Sequence, residues 1–213
     1  MKHKVKKIFM AAVIVLIFTT VLLLKNEEKR EEKIQKSIAD HIIRFHVIAN
    51  SDSDEDQRLK LAVKDKIVNK LREKLEEAEN LEDARNIIRN ETETVEQLAT
   101  EEMHRQGYDY TASASLGNSY FPVKKYGDMV FPAGEYEALR VKIGKAGGHN
   151  FWCVMYPTLC FVDSTYQVVP EQSKEQLKKT LTEEDYQALL GGDERVTFGF
   201  KFFDWVDKIC ERE

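Results

Sequence analysis

A histidine and two cysteines stand close together in the stretch GHNFWCVMYPTLCFVD, and these residue types could do chemistry. His149 precedes Cys153 by four residues and Cys160 by eleven. Such residues can form a thiol nucleophile with its imidazole base, a zinc site, or a disulfide. Each of the three needs a different geometry, so the secondary structure of the stretch decides among them.

The aromatic and β-branched residues of this stretch predict an extended strand. In a strand, His149 and Cys153 lie about 13 Å apart, whereas a nucleophile needs its base within about 3 Å. Zinc sites usually place paired cysteines about two to four residues apart, but six residues separate Cys153 from Cys160. We therefore predict no catalytic residue, metal ligand or cofactor, and no enzymatic activity. The alternative is an exported cysteine hydrolase that acts on the cell wall through Cys153 with an unidentified base.

A hairpin centred on Tyr156-Pro157 would place Cys153 directly opposite Cys160. Opposed residues lie about 4.5–5.5 Å apart at Cα, which a disulfide accepts. Pro157 at the second turn position favours a cis bond or a wider loop. Two reduced, buried cysteines explain the pattern nearly as well, so the bond stays open, and the pair is structural in either state.

The N-terminal segment indicates the compartment in which these residues work. Four lysines precede an apolar run from Ile8 to Leu24 that only Thr19 and Thr20 interrupt. As a helix, this run is about 26 Å long, slightly under the bilayer's apolar thickness of about 30 Å. A basic start followed by an apolar run predicts a signal peptide or a signal anchor in residues 1–25, with the following domain exported. No clear cleavage site follows, so removal of the segment stays open.

The remaining composition excludes several classes of ligand. After residue 25 the chain carries 27 basic and 37 acidic side chains. An acidic exported domain binds poorly to nucleic acid or anionic lipid, because these negatively charged partners bind positive surfaces. We expect a protein partner, no small-molecule substrate, and membrane contact only through the N-terminal segment if it is retained. Residues 26–40 are densely charged and predict a solvated helical spacer before a domain of residues 41–213.

Periodicity predicts the elements that position the central stretch. A strand covers the residues around Phe45 and Val47, with His46 on the opposite face as a hydrogen-bonded structural histidine. Two amphipathic helices follow; Ser51 or Ser53 caps the first, and Asn80 begins and Gly107 ends the second. Further strands follow on either side of a turn at Gly117-Asn118, and another strand is centred on Val141.

The C-terminal part predicts one helix from about residue 173 to Gly191-Gly192, a strand with Phe198 and Phe200, and a short last helix that carries Cys210. The fold class is therefore α+β. We expect a mixed or antiparallel sheet packed by an antiparallel helix pair and by the C-terminal helices. One N-terminal hydrophobic signal or transmembrane helix precedes this domain.

Aromatic side chains crowd a segment that glycine and proline residues interrupt. Aromatic residues on turns are common at the centres of protein interfaces. At least half of them are equally well explained as core residues beneath a hairpin. The predicted partner-binding residues are Tyr120, Phe121, Tyr126, Phe131, Tyr136 and Trp152.

Three long motifs in the same order resemble one known family. They are IRFHVIANSDSDEDQRLKLAVKDKI, LGNSYFPVKKYGDMVFPAGEYEALRVKIG and GHNFWCVMYPTLCFVD. Together they resemble stage II sporulation protein R of endospore-forming bacteria, most closely over residues 43–163. Val123, Phe151 and Thr158 depart from the family pattern without removing a charged or nucleophilic group.

The resemblance implies a signalling role in endospore formation. Members of the family are made in the forespore and exported across its membrane into the space between the two cells. There they trigger a membrane-embedded aspartic protease of the mother cell, which cleaves the precursor of a sigma factor. The resemblance implies no catalytic residues. We place the activating contact on residues 118–136 and on the hairpin of residues 149–160.

Overall fold

The computed structural model describes residues 2–160, 169 and 171–191, without the side chains of residues 2–5, 7–9, 11 and 12. The predicted C-terminal strand and the last helix, which carries Cys210, lie outside these residues. The helices are α1 (Lys2–Ala39), α2 (Asp54–Glu76), α3 (Leu81–Arg105), α4 (Glu171–Thr180) and α5 (Glu183–Leu190). The strands are β1 (Ile43–Ile48), β2 (Ala112–Phe121), β3 (Lys124–Tyr126), β4 (Met129–Phe131), β5 (Gly134–Ile143) and β6 (Asn150–Tyr156).

Four strands form one mixed sheet in the order β2-β5-β1-β6. β1 runs parallel to β5, while the β1–β6 and β2–β5 pairs are antiparallel. β1 lies inside the sheet and is buried on both faces, which is why the polar Arg44 and His46 are buried with Phe45 and Val47. The α+β class and the mixed sheet are confirmed.

The antiparallel helix pair α2 and α3 covers one face of the sheet, as predicted. Leu59, Val63 and Ile67 of α2 are buried in the same core as Phe45 and Val141 of the sheet. Their spacing of three and four residues places them on one side of the helix. The apolar periodicity of the sequence therefore determines which face of α2 packs.

The predicted ends of the two helices are confirmed. The Ser53 side chain accepts a hydrogen bond from the Asp56 N–H at the start of α2, and Asn80 accepts one from Asp83 at the start of α3. Gly107 has a φ of +84°, which a residue with a side chain adopts only with strain. This conformation lets the Tyr108 N–H bond the Met103 carbonyl, 3.0 Å away, and turns the chain out of α3.

The opposite face of the sheet forms a second core. It is covered by the end of α1, by α4 and α5, and by the small β3–β4 hairpin. Ile38 and Ile42 are fully buried there beside Phe121 and Tyr136. The prediction of a solvated spacer through residue 40 is therefore wrong for its last two turns, because Ile34 and Ile38, spaced four residues apart, are buried in this core.

Two further expectations differ from the structure. Gly117 and Asn118 do not turn the chain; they continue β2 opposite Ala138 and Glu137 of β5. The ten residue pairs of this ladder outweigh the local turn preference of the Gly-Asn dipeptide. The single helix expected after Pro170 is divided, because Thr182 adopts an extended conformation and caps α5.

The N-terminal apolar run and the charged residues after it form the single helix α1. Among the helices that the structure describes, none combines the length and apolarity required of a membrane span.

Candidate functional site

The second core encloses a positively charged side chain, that of Arg44. Its guanidinium carbon lies 4.2 Å from the ring centroid of Phe121 and 4.8 Å from that of Tyr136. Arg44 Nη2 donates a 2.9 Å hydrogen bond to the hydroxyl of Tyr126, which in turn donates to the carbonyl of Trp152. Arg44 is fully buried, and the electron-rich ring faces supply the attraction that a carboxylate usually provides.

His46 lies two residues further along β1 on the same face. Its ring stacks on Trp152 at a centroid distance of 3.8 Å and meets the Phe121 ring edge-on at 5.8 Å. Neither ring nitrogen makes a regular hydrogen bond in the described structure. The expected structural histidine is therefore held by ring stacking, and the prediction of a hydrogen bond is wrong because aromatic rings surround the imidazole.

Burial lowers the pKa of His46, because the charged imidazolium would lose its hydration in this core. Arg140 and Lys142 of the neighbouring strand lower this pKa further, whereas Asn150 opposes the shift from a position without regular hydrogen-bond geometry. Burial also raises the pKa of Tyr136 to about 12. His46 is therefore neutral and Tyr136 protonated at neutral pH.

The six predicted partner-binding residues divide by burial. Phe121, Phe131 and Tyr136 are core residues with no more than 1% of their surface exposed. Tyr126 is half-buried beside Arg44, and Trp152 is half-buried against His46. Tyr120, with 61% exposed, is the member of the set that presents its ring to solvent.

Two exposed apolar side chains, Tyr120 and Val123, lie at and just after the end of β2. Val123, three residues after Tyr120, is 56% exposed. A cleft of about 540 Å³ lies nearby, between the end of α1, the start of α3 and strand β5. Asn118 lines this cleft from β2.

Carboxylates predominate among the charged groups of the cleft. Glu135 and Glu137 contribute from β5, Glu32 and Asp40 from the end of α1, and the cations are Lys36 and Arg85. Arg85 Nε is already paired with Glu137, at 2.9 Å. The cleft is therefore net acidic, and its exposed Glu135 has no cation as a described partner.

His149 is paired with an acid and not with a cysteine. Its Nδ1 lies 2.5 Å from Asp52 Oδ1, and its backbone N–H donates to the same oxygen at 2.6 Å. The imidazole is 78% exposed. The pair joins the β5–β6 loop to the start of α2, and Lys60 Nζ strengthens this junction by donating to the His149 carbonyl.

The acids before α2 have separate structural partners. Asp56 accepts hydrogen bonds from Asn50 at 2.8 Å and from Ser51 at 2.5 Å. Burial alone would raise the pKa of Asp56, but the hydrogen bonds from Ser51 and Asn50 bring it below its usual value. Across the described residues, no three His, Cys, Asp or Glu side chains come together as metal ligands do.

Cys153 and Cys160 form a disulfide across a tight turn, with their Cα atoms 5.4 Å apart. The turn contains a cis Tyr156-Pro157 bond, and the Leu159 N–H donates to the Val154 carbonyl at 3.0 Å. Both cysteines are buried in the first core. Cys153 therefore presents no thiol to a substrate.

The buried Arg44 and the cleft were not identified from the sequence. Alternation in IRFHVI placed Arg44 on the face opposite Phe45 and Val47, without indicating that this face is also buried. The available signal was the concentration of aromatic residues in residues 120–136. The cleft gave no signal, because its carboxylates come from separate parts of the chain.

The chain resembles known sporulation proteins over most of its length. Residues 39–166 match the sequence model of the family described as stage II sporulation protein R. A relative from Bacillus subtilis (strain 168), also named stage II sporulation protein R, is 38% identical over 161 residues, which cover 72% of each chain. No solved structure matches significantly. The matched region contains the complete four-stranded sheet and the helix pair, so this chain belongs to the stage II sporulation protein R family.

Proposed function

We propose that this protein is an exported signal that triggers a membrane-embedded aspartic protease of the mother cell. The protease then processes a sigma-factor precursor during endospore formation. In this proposal residues 1–25 direct the domain across the forespore membrane. The domain acts in the space between the two cells by binding the protease, without chemistry of its own.

The observation that carries the proposal is the 38% identity to a stage II sporulation protein R over 72% of the chain. Identity at this level over one continuous domain supports a shared role in sporulation. The acidic composition after residue 25 supports a protein partner over nucleic acid or an anionic membrane.

An activator of this kind works through differential affinity. It must bind the active arrangement of the protease more tightly than the idle arrangement, since equal affinity shifts no equilibrium. A rigid binding surface suits this task because little entropy is lost on binding. The mixed sheet, with cores on both faces and a disulfide at the end of β6, supplies such rigidity.

The cysteine hydrolase alternative has no supporting observation. A thiolate is the required nucleophile, and the Cys153 sulfur is instead bonded to Cys160 within the core. The nearby imidazole of His149 is paired with Asp52.

Reconstitution tests the proposal directly. The purified full chain is added to vesicles that contain the protease and its sigma-factor precursor, and cleavage of the precursor is followed with time. We expect cleavage to depend on the added chain. The double variant Cys153→Ser/Cys160→Ser should retain this activity below its unfolding temperature, although removing the crosslink costs about 2.5 kcal/mol of stability. Cleavage without the added chain would overturn the proposal, and a folded but inactive double variant would favour the hydrolase.

A further inference from the structure

Within the part of the chain that the structure describes, strand β2 is an edge of the sheet, and some of its backbone hydrogen-bonding groups have no partner. In its antiparallel ladder with β5, alternate residues bond β5 and the residues between them face outward. The Ala114 N–H faces outward, since it donates to Glu96 Oε1 of α3 at 2.7 Å. The same alternation turns the N–H and C=O groups of Leu116, Asn118 and Tyr120 outward, and no partner in the described part of the chain reaches them.

This open part of the edge lacks the usual protection against strand pairing. Natural edge strands carry charged side chains, prolines or bulges that prevent another strand from pairing. Strand β2 has the sequence ASASLGNSYF, without a charge or a proline, and pairs with β5 without interruption. Glu96 occupies the edge only at Ala114. Residues 116–120 therefore offer a continuous template for an added strand.

The charge beside this edge indicates what kind of strand fits. The net acidic cleft borders the edge at Asn118, and in the ladder Glu135 lies opposite Tyr120 and Glu137 opposite Asn118. Directly paired residues of neighbouring strands point to the same face, so Asn118, Tyr120 and both carboxylates lie on one face of the sheet. A long basic side chain of an added strand that lies on this face can therefore reach past Asn118 to these carboxylates.

A second copy of this chain is disfavoured as the occupant. Pairing β2 with β2 of another copy would bring two net acidic clefts close together, within a chain of net charge −5. Like charges in apposition oppose binding. A basic segment of another protein has the complementary charge and the backbone groups to match.

We infer that residues 116–120 bind an extended segment of another protein as an added β-strand, with basic side chains directed into the acidic cleft of Glu135 and Glu137. Main-chain hydrogen bonds to the edge supply affinity, and the cleft supplies specificity. The exposed rings and methyl groups of Tyr120 and Val123 extend the contact with apolar surface. The assignment of this surface as the contact for the protease rests on the proposed function. Its binding of an extended peptide does not.

Peptide binding to the full chain tests the inference. The probes are fluorescent octapeptides in which valine and threonine alternate with lysine, and otherwise identical peptides with glutamate in place of lysine. We expect the lysine peptides to bind at least about tenfold more tightly than the glutamate peptides. Asn118→Pro removes one outward N–H and should weaken lysine-peptide binding about tenfold or more. Ala112→Pro makes the same change at the far end of β2, beyond Glu96, and should leave binding unchanged.

A second pair of variants tests the same edge if the proline variant does not fold. Asn118→Lys adds a repelling charge at the open edge, whereas Ser113→Lys adds the same charge at an exposed position near the other end. Asn118→Lys should weaken binding, whereas Ser113→Lys should not. Glu135→Gln should weaken binding by a smaller factor than Asn118→Lys. Equal affinities for wild type and Asn118→Lys, no binding of any lysine peptide, or a concentration-dependent dimer that Asn118→Lys dissociates would each overturn the inference.

The same variants separate this inference from the proposed function. In the reconstituted protease assay, Asn118→Lys should lose activation while Ser113→Lys retains it. Full activation by Asn118→Lys would reject residues 116–120 as the protease contact and leave the proposed function standing. Failure of wild type to activate, with peptide binding intact, would reject the proposed function and leave the binding edge standing.

Discussion

The residue that determines the second core is Arg44, a buried cation without a carboxylate partner among the described residues. Burying a charge is costly unless other groups replace its hydration. Here the ring faces of Phe121 and Tyr136 and the hydroxyl of Tyr126 contact the guanidinium. Phe121, Tyr126 and Tyr136, which the sequence predicted as partner-binding residues, therefore stabilise a buried charge instead.

Phe121→Ala should destabilise the protein. It leaves a cavity beside Arg44 and also removes the ring that contacts Trp152, so we expect a loss of about 3–5 kcal/mol in the free energy of unfolding. Urea denaturation measures the loss. Tyr120→Ala, one residue earlier but 61% exposed, is the matched control and should stay within about 0.5 kcal/mol of wild type. Equal stability of both variants would contradict the buried placement of Phe121.

His46 should make stability depend on pH. Its pKa in the folded protein lies below the value of 6.5 for an unperturbed histidine, so the unfolded chain binds more protons as pH falls below 6.5. The contribution of neutral His46 is present above pH 6.5 and is lost as pH falls through the folded pKa. We expect a slope of at most about 1.4 kcal/mol per pH unit in this window.

The variant His46→Phe keeps a flat ring against Trp152 but does not titrate. Urea denaturation between pH 5 and 7.5 should show a smaller loss of stability with acid for this variant than for wild type. His104→Gln, which replaces an exposed histidine of α3, is the matched control. An unaltered slope in His46→Phe would show that other groups carry the pH dependence.

At the scale of elements, α1 belongs to the domain over its last turns. Ile38 is fully buried, and Ser37 Oγ donates to Asp185 Oδ2 of α5 at 2.7 Å. Gln35 Nε2 donates to the Glu135 carbonyl at 3.0 Å. The helix that leaves the N-terminal segment is thus fixed to the sheet, and its orientation is set by the domain.

Ile38→Ala should therefore lower the free energy of unfolding of the whole domain by about 2–5 kcal/mol. Thermal unfolding followed by circular dichroism measures this as one shifted transition. Lys29→Ala, on an exposed turn of the same helix, changes no buried contact and is the control. If both variants unfold like wild type, the end of α1 does not pack on the sheet in solution.

At the scale of the whole molecule, the proposed function requires export by residues 1–25. Ile14→Arg/Leu16→Arg places two charges in the apolar run, each costing about 2.5–3.5 kcal/mol at the centre of a membrane-inserted helix. We expect the variant to remain inside cells, protected from protease added outside. Ile14→Leu/Leu16→Ile keeps the apolar run and should be exported. N-terminal sequencing of the exported chain then establishes whether the segment is removed.

Local features of the sequence identified strand β1 and helices α2 and α3. Alternation identified the strand around Phe45, and spacings of three and four residues identified α2 and α3. Short polar residues and one glycine marked the ends of these helices at Ser53, Asn80 and Gly107. Such signals are readable because capping and amphipathic periodicity depend on residues within one or two turns.

The sequence also limited the chemistry near His149. The six residues between Cys153 and Cys160 made a paired zinc site unfavourable. The predicted turn at Tyr156-Pro157 made a disulfide between the two cysteines geometrically accessible. Only the fold decided between a bond and two thiols, because it fixes the distance between the two cysteines. The partner of His149 was also set by the fold, since Asp52 is distant in the sequence.

Tertiary structure alone decided which aromatic residues are exposed. β1 lies between two strands and is covered on both faces, so Arg44 is a core residue. Phe121, Phe131 and Tyr136 are buried in the core on its side of the sheet. The same packing left β2 at an edge beside carboxylates of β5 and α1. Burial and edge position follow from long-range contacts, and neither is encoded in the pattern of any single segment.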